Sequence, residues 1–183
     1  MIKKPIYICV AVDENFGIGK DGKLPWRIHK EIQFFKELTT QTEDPHKQNM
    51  VIMGRKTWES IPHKFRPLPN RKNVVLTRKK DLVLKGAEVV NSLDQAFDCA
   101  DEKIEKIYII GGSEIFRQAL EHDHLTGLYV TEIENCYECD TFLPKIPQEY
   151  SQKKLIGEDC EDGIDFKYYL YKSSSKARTI SPF

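Results

Sequence analysis

A single α/β domain with a mostly parallel central sheet, an antiparallel C-terminal edge and flanking helices is predicted by three observations. Short apolar runs alternate with segments of helical period along most of the chain. The runs are uninterrupted rather than alternately polar, as strands buried on both faces require. Turn-forming, cationic or glycine-rich residues follow several runs at once, where loops at the carboxyl ends of parallel strands belong. With 183 residues and 40% hydrophobic content, the chain has enough apolar material for one core.

The first run, Ile6–Val12, reads as a buried strand. It is too short to span a membrane, and no small-residue cleavage site follows it, so neither an export signal nor a membrane role is expected. A loop follows, Asp13 to Trp26, with Gly17, Gly19 and Gly22 giving it freedom and Leu24-Pro25-Trp26 stiffening its exit. Ile28–Leu38 has helical periodicity: at about 100° per residue, Ile28, Ile32, Phe34, Phe35 and Leu38 share an arc of roughly 160°. Glu31 falls inside that arc, whereas His29, Lys30, Gln33, Lys36 and Glu37 fall outside it. A carboxylate among apolar neighbours is desolvated, which favours its neutral form and raises its pKa. That makes a proton donor or an anchor for a cationic heterocycle. The competing reading, a helix-start carboxylate tilted into water near the positive end of the dipole, needs no function.

Met50–Met53 is a second strand, followed by Gly54-Arg55-Lys56-Thr57 and a short helix, Lys56 to Ile61. Two cations and a hydroxyl at a helix start suit an anion. Asn73–Leu76 is a strand followed by Thr77-Arg78-Lys79-Lys80, a set suited to a phosphate monoester. Glu88–Val90 is a short strand and Ser92–Ala100 a helix. Lys106–Ile110 then runs into Gly111-Gly112-Ser113-Glu114, a glycine pair opening the helix Ser113–Leu120. Three such places at the ends of three parallel strands point to an extended ligand with several phosphates. No G-x-x-x-x-G-K-[ST] is present, nor a G-x-G-x-x-G that opens a helix after a strand, so a dinucleotide would be bound in some other way. Leu128–Ile133 and Asp165–Lys172 are strand-like with no helix between them, and are expected to pair antiparallel at one edge.

Net charge is zero, from 28 basic and 28 acidic residues, which signals no general nucleic-acid or acidic-membrane partner. Five scattered cysteines without an export signal are expected to be reduced thiols of a cytoplasmic protein. Cys136-Tyr-Glu-Cys139 lacks the second ligand pair that zinc wants, so no metal is expected. His122 and His124 read as loop residues. Residues 1–172 form the domain, and 173–183, starting Ser-Ser-Ser-Lys-Ala-Arg, read as a disordered tail or the stub of a linker to a fused partner.

Taken together, Gly17-Ile18-Gly19-Lys20 with Leu24-Pro25-Trp26, Val51-Ile52-Met53-Gly54-Arg55-Lys56-Thr57-Trp58, Ile110-Gly111-Gly112 and Asp140-Thr141-Phe142-Leu143-Pro144 resemble dihydrofolate reductases. The motifs occur in order from about Ile6 to Tyr171, and Glu31 with Phe65-Arg66-Pro67-Leu68 is closer to eukaryotic members. The resemblance implies NADPH-dependent reduction of 7,8-dihydrofolate to 5,6,7,8-tetrahydrofolate by a cytoplasmic monomer that antifolates inhibit. By the same resemblance, Glu31 would bind the pterin 2-amino group and N3 and promote protonation at N5 through water; Thr141 would hydrogen-bond that carboxylate or its water, and Trp26 would orient a water. Leu24, Ile32, Phe35, Ser60, Ile61, Leu68, Ile110 and Phe116 would line the substrate pocket, and Arg71 would receive the glutamate α-carboxylate. Ala11, Ile18 and Gly19 would meet the nicotinamide side, and Gly54, Arg55, Lys56, Thr57, Ser113, Glu114 and Ile115 the rest of the cofactor. Thr77 and Arg78 would select the 2′-phosphate, and Gly111-Gly112 would carry a cis peptide.

Three features depart from the family pattern. Phe116 stands where tyrosine is common, the Trp26–Glu31 link is one residue shorter than in vertebrate-like members, and residues 173–183 extend past the usual end. Other readings are a reductase for a pteridine or pyrimidine without a glutamate tail, a non-catalytic NADPH or folate sensor, and an RNA binder. Arg71 argues against the first, the acid Glu31 against the second, and interspersed charges without an aromatic stacking run against the third.

Overall fold

The computed structural model describes residues 4–174. Its strands are β1 (Ile6–Val12), β2 (Gly17–Gly19), β3 (Gln48–Gly54), β4 (Arg71–Leu76), β5 (Glu88–Val90), β6 (Ile104–Ile109), β7 (Gly127–Ile133), β8 (Thr141–Phe142), β9 (Gln152–Glu161) and β10 (Ile164–Lys172). Its helices are α1 (His29–Thr40), α2 (Arg55–Ser60), α3 (Leu93–Asp98) and α4 (Ser113–Leu120). Eight strands form one sheet in the order β5-β4-β3-β6-β1-β7-β10-β9. From β5 to β7 every neighbour is parallel; β10 and β9 run antiparallel to what precedes them.

The parallel part explains the uninterrupted apolar runs. Successive residues of a strand point to opposite faces, and here both faces are covered. Ile8, Met50, Ile52, Val74, Ile109 and Leu128 meet Leu93 and Ala96 of α3 and Ile115, Phe116, Ala119 and Leu120 of α4 in one core. Cys9, Val51, Met53, Val75 and Tyr108 face the other way, against Trp58 of α2 and the half-buried Phe35 and Leu38 of α1. A third cluster of Trp26, Ile28, Ile133, Phe166 and Tyr168 covers the antiparallel end. Polar ties fix the loops: the Asn49 side-chain amide donates to the carbonyls of Thr39 (3.1 Å) and Gln41 (2.8 Å), locking the end of α1 onto β3.

Several expectations are corrected. β10 does pair antiparallel with β7, but it is not the edge; β9 lies outside it. β9 escapes a reading by pattern because its polar sequence Gln-Lys-Lys-Leu-Ile-Gly-Glu-Asp-Cys-Glu buries little, as an exposed edge permits. β2 and β8 form a separate two-stranded sheet inside segments that read as loops. Ser173 and Ser174 belong to the folded part: Ser173 is buried, and the Ser174 N–H donates to the Glu149 carbonyl at 2.9 Å. The remainder of the expected tail, 175–183, lies outside the described residues. All five cysteines are unpaired. Among the described residues no helix is long and apolar enough to cross a membrane.

Gly127, the first residue of β7, shows how tightly the antiparallel junction is made. A Cβ there would lie 2.4 Å from the Tyr171 carbonyl oxygen, which is backbone and has little room to yield. Gly127→Ala is therefore expected to lower stability by about 1–3 kcal/mol, the range for overpacking, in chemical denaturation. Unchanged stability would show that the β7–β10 junction is looser than its geometry.

Candidate active site

Glu31 lies in the first turn of α1 and is 8% exposed, one of only two buried residues of that helix with Thr39. Burial raises its pKa from 4.5 to about 7, opposed by a hydrogen bond from the Thr131 side chain. The carboxyl is close enough to raise the pKa values of the Cys9 thiol on β1 and the Tyr168 hydroxyl on β10. Glu31 thus sits between the starts of two clusters, held by β7 and flanked by β1 and β10.

The surrounding apolar arc is not packed wholly into the core. Ile28 is buried, Phe34, Phe35 and Leu38 are half-buried, and Ile32 is 48% exposed. The arc faces an open wall instead, which Phe35 and Leu38 share with Ile61, Leu68 and Ile110, all packed half-buried on the Cys9–Tyr108 cluster. Leu24, at 55% exposed, stands before the helix. Apolar side chains left this open are unlike a finished core and are the kind of surface a ligand can cover.

Arg71 starts β4 and is buried, with Nη1 donating to the Thr39 hydroxyl (2.8 Å) and Nε to the Pro69 carbonyl (3.0 Å). Desolvation lowers its pKa, and no carboxylate pairs with it among the described residues. A buried guanidinium without an anion is costly unless it receives one.

The anion-suited segments come together as the sheet order dictates, because β4, β3 and β6 are neighbours. The Gly54 N–H donates to the Gly111 carbonyl at 2.8 Å, joining the ends of β3 and β6. The Gly111–Gly112 peptide is cis, as the resemblance implies. A Cβ on Gly111 would lie 3.3 Å from the Thr57 hydroxyl and 3.6 Å from the Phe116 ring, and one on Gly54 would lie 3.4 Å from Ile115. Lys56 and Arg78 are exposed, while Arg55 is engaged with Glu59 at 2.6 Å. The Thr77 hydroxyl accepts the Lys79 N–H (3.1 Å) and so shapes the turn that presents Arg78. Glu114 pairs with Arg117, and the Ser113 hydroxyl donates to the Phe142 carbonyl (3.0 Å). The Ser60 hydroxyl donates to the Thr57 carbonyl (2.6 Å), and Ala11, Ile18 and Gly19 are half-buried at the head of the glycine loop.

A direct bond from Thr141 to the Glu31 carboxyl is not made: Thr141 lies in β8, its hydroxyl donating to Asp140 (2.9 Å), and the side chain hydrogen-bonded to Glu31 is that of Thr131. The signal for Thr131 was a hydroxyl inside the apolar strand Leu-Tyr-Val-Thr-Glu-Ile, where an unpaired hydroxyl is costly. Thr39, which orients Arg71, carried no such signal. Trp26 is buried, and its indole N–H has no partner among the described residues. No cluster of His, Cys, Asp and Glu suited to a metal occurs among the described residues.

The chain matches the model of the family described as Dihydrofolate reductase over residues 5–173. It is 38% identical to the dihydrofolate reductase of Heliothis virescens, over 94% of this chain and 99% of that protein. It is 42% identical to bifunctional dihydrofolate reductase-thymidylate synthase 2 of Arabidopsis thaliana over 92% of this chain, but spans only 32% of that longer protein. Among solved structures, the Schistosoma mansoni dihydrofolate reductase superposes with a TM-score of 0.79 at 36% identity, covering 93% of this chain and 98% of that one. By fold the chain is a single mixed α/β domain of the dihydrofolate reductase type. It belongs to the dihydrofolate reductase family, a family of oxidoreductases.

The raised pKa of Glu31 has a consequence for stability. The folded state holds a proton that the unfolded state, near 4.5, releases, so stability falls as pH rises from about 4.5 to about 7. Glu31→Gln removes the buried charge. The variant is expected to be more stable than the parent at about pH 8, by up to about 3 kcal/mol, with the gap closing below about pH 5. Parallel pH–stability curves for the two proteins would show that Glu31 is solvated.

Proposed function

We propose that this chain reduces 7,8-dihydrofolate to 5,6,7,8-tetrahydrofolate with NADPH, with Glu31 as the active-site acid. The observation that carries the reading is Glu31 itself, a buried carboxyl with a pKa of about 7 beside a half-open apolar wall. Family membership and the full-length match to the Heliothis virescens enzyme support the same substrate.

The residues fit a dinucleotide with phosphates. Glycine amides, the Thr57 hydroxyl and the exposed cations Lys56 and Arg78 lie at the ends of three adjacent strands, and a side chain at Gly111 would crowd Thr57. NADPH supplies the hydride when bound. Gly54, Lys56, Thr57 and Gly111-Gly112 hold its diphosphate, while Thr77 and Arg78 receive the 2′-phosphate, which a guanidinium can bind in bidentate fashion. Arg55 joins them by leaving Glu59.

On the substrate side, Ile32, Phe35, Ile61, Leu68 and Ile110 sandwich the pterin and benzoyl rings. Arg71, pre-oriented by Thr39, receives the glutamate α-carboxylate. Glu31 hydrogen-bonds the 2-amino group and N3 and promotes protonation at N5 through water oriented by Trp26. The protein's part is alignment and one well-placed proton, a step worth about 10²–10⁴-fold in rate. The enzyme works in the cytoplasm as a monomer, a setting the unpaired thiols suit.

Dihydrofolate-dependent loss of the NADPH absorbance band, blocked by an antifolate, is the direct test; tight NADPH binding without that loss overturns the reading. Protonated Glu31 is the competent donor, so the rate is expected to fall as pH rises through about 7. Glu31→Gln should lower hydride transfer by about 100-fold or more and abolish that pH dependence while NADPH still binds; near-parental turnover would remove Glu31 from the proton path. Arg78→Ala should weaken NADPH by about tenfold and leave NADH almost unchanged, and equal weakening of both would show that Arg78 does not read the 2′-phosphate.

A further inference from the structure

Asp13 is the most heavily engaged acceptor near the site, and the function proposed above gives it no part. It follows β1 directly and is 2% exposed. Its Oδ1 accepts the backbone N–H groups of Asn15 (2.9 Å) and Gly17 (2.7 Å). Its Oδ2 accepts the backbone N–H of Tyr137 (3.0 Å) and the thiol of Cys139 (3.7 Å). One oxygen thus serves the glycine loop that leads to Trp26, and the other serves the connector between β7 and β8. Burial pushes the pKa of Asp13 up, but the amides of Tyr137, Gly17 and Asn15 and the Cys139 thiol outweigh it and hold the group below the usual carboxylate range.

The joint has no spare room. A Cβ on Gly17 would lie 2.4 Å from the Cys139 sulfur and 2.9 Å from Asp13 Oδ1. Backbone bonds continue the same seam, with the Asp13 N–H donating to the Gly17 carbonyl (3.0 Å) and the Asp140 N–H to the Gly19 carbonyl (2.9 Å). Beyond it, the Tyr137 ring packs 5.3 Å from the Trp26 ring, centroid to centroid. The Trp26 indole N–H has no partner among the described residues, so side-chain packing is what the protein itself contributes to its orientation. Tyr137, whose backbone Asp13 holds, is part of that packing.

We propose that Asp13 is a positioning residue for the reduction: its two oxygens fasten the Gly17–Gly22 loop and the Tyr137 connector to one point, and through Tyr137 set the indole of Trp26 at the entry to the Glu31 helix. The inference rests on the function proposed above. Its chemistry requires two acceptors on one small side chain. Asparagine has the same shape but one oxygen, so Asp13→Asn turns an NH₂ toward one pair of donors and opens one side of the joint. Gly17→Ala wedges the same joint with Asp13 intact.

The test compares these two variants with their parent in a Trp58→Phe background, where Trp26 is the remaining tryptophan. NADPH affinity, the dihydrofolate KM, single-turnover hydride transfer and Trp26 emission are measured. NADPH affinity and KM should stay within about threefold while hydride transfer falls about tenfold or more, the scale of a misplaced reacting group. Trp26 emission should shift to the red and its anisotropy should fall. A folded Asp13→Asn protein with parental hydride transfer and Trp26 emission overturns the proposal, as does a rate loss matched by an equal rise in KM. If Asp13→Asn does not fold, Gly17→Ala decides by the same criteria. A parent that does not reduce dihydrofolate at all refutes the function instead, and the Trp26 signal still judges the joint.

Discussion

Parallel strands need crossover connections, and those connections lay helices on both faces of the sheet. In this chain that requirement organises nearly everything else. It sends α3 and α4 to one face and α1 and α2 to the other, and it leaves the carboxyl ends of β1, β3, β4 and β6 as the edge where loops can meet a ligand. Gly54, Thr77 and Gly111 are far apart in sequence and adjacent in space because their strands are neighbours in the order β4-β3-β6. The carboxylate of Glu31 then comes to the same region because α1 starts the crossover out of β1.

Against this frame the site stores its chemistry as incomplete solvation. Burial outweighs the hydrogen bond from the Thr131 side chain, so Glu31 keeps a proton to about pH 7. Among the described residues Arg71 has a hydroxyl and a carbonyl but no anion. Asp13 shows the opposite arrangement: it collects four donors, which hold its carboxyl below the usual carboxylate range. Three ionisable groups with little exposed surface thus behave differently, and the balance of desolvation against hydrogen bonding decides which becomes a proton store, which an anion receiver and which a fastener.

Legibility followed burial. Ile6–Val12, Glu88–Val90 and Ser113–Leu120 match their expected bounds because apolar pattern and turn residues agree there. β9 was invisible because an exposed edge strand needs no apolar pattern, and β2 and β8 because two or three residues carry no period. In the site, Glu31 stood out as a carboxylate on an apolar arc. Thr141 was given the role by resemblance, through the motif Asp140-Thr141-Phe142-Leu143-Pro144, whereas Thr131 lies inside an apolar strand whose facing is settled only by the fold. Asp13 and Thr39 were unremarkable as letters; their importance lies in partners distant in sequence.

By itself the sequence determined the buried strands and the helices, the two-sided sheet, the place of Glu31 on an apolar arc and the anion-suited strand ends. These are local facts, set by side-chain period, by glycine and by charge next to apolar runs. Only the tertiary structure decided which hydroxyl holds Glu31, which anchor orients Arg71, how far Ile32 and Leu24 stay open, and that one carboxylate joins the glycine loop to the β7–β8 connector. The physical reason is range. A pattern records what each residue prefers as a surface, whereas hydrogen bonds across more than a hundred residues exist only once the chain has closed upon itself.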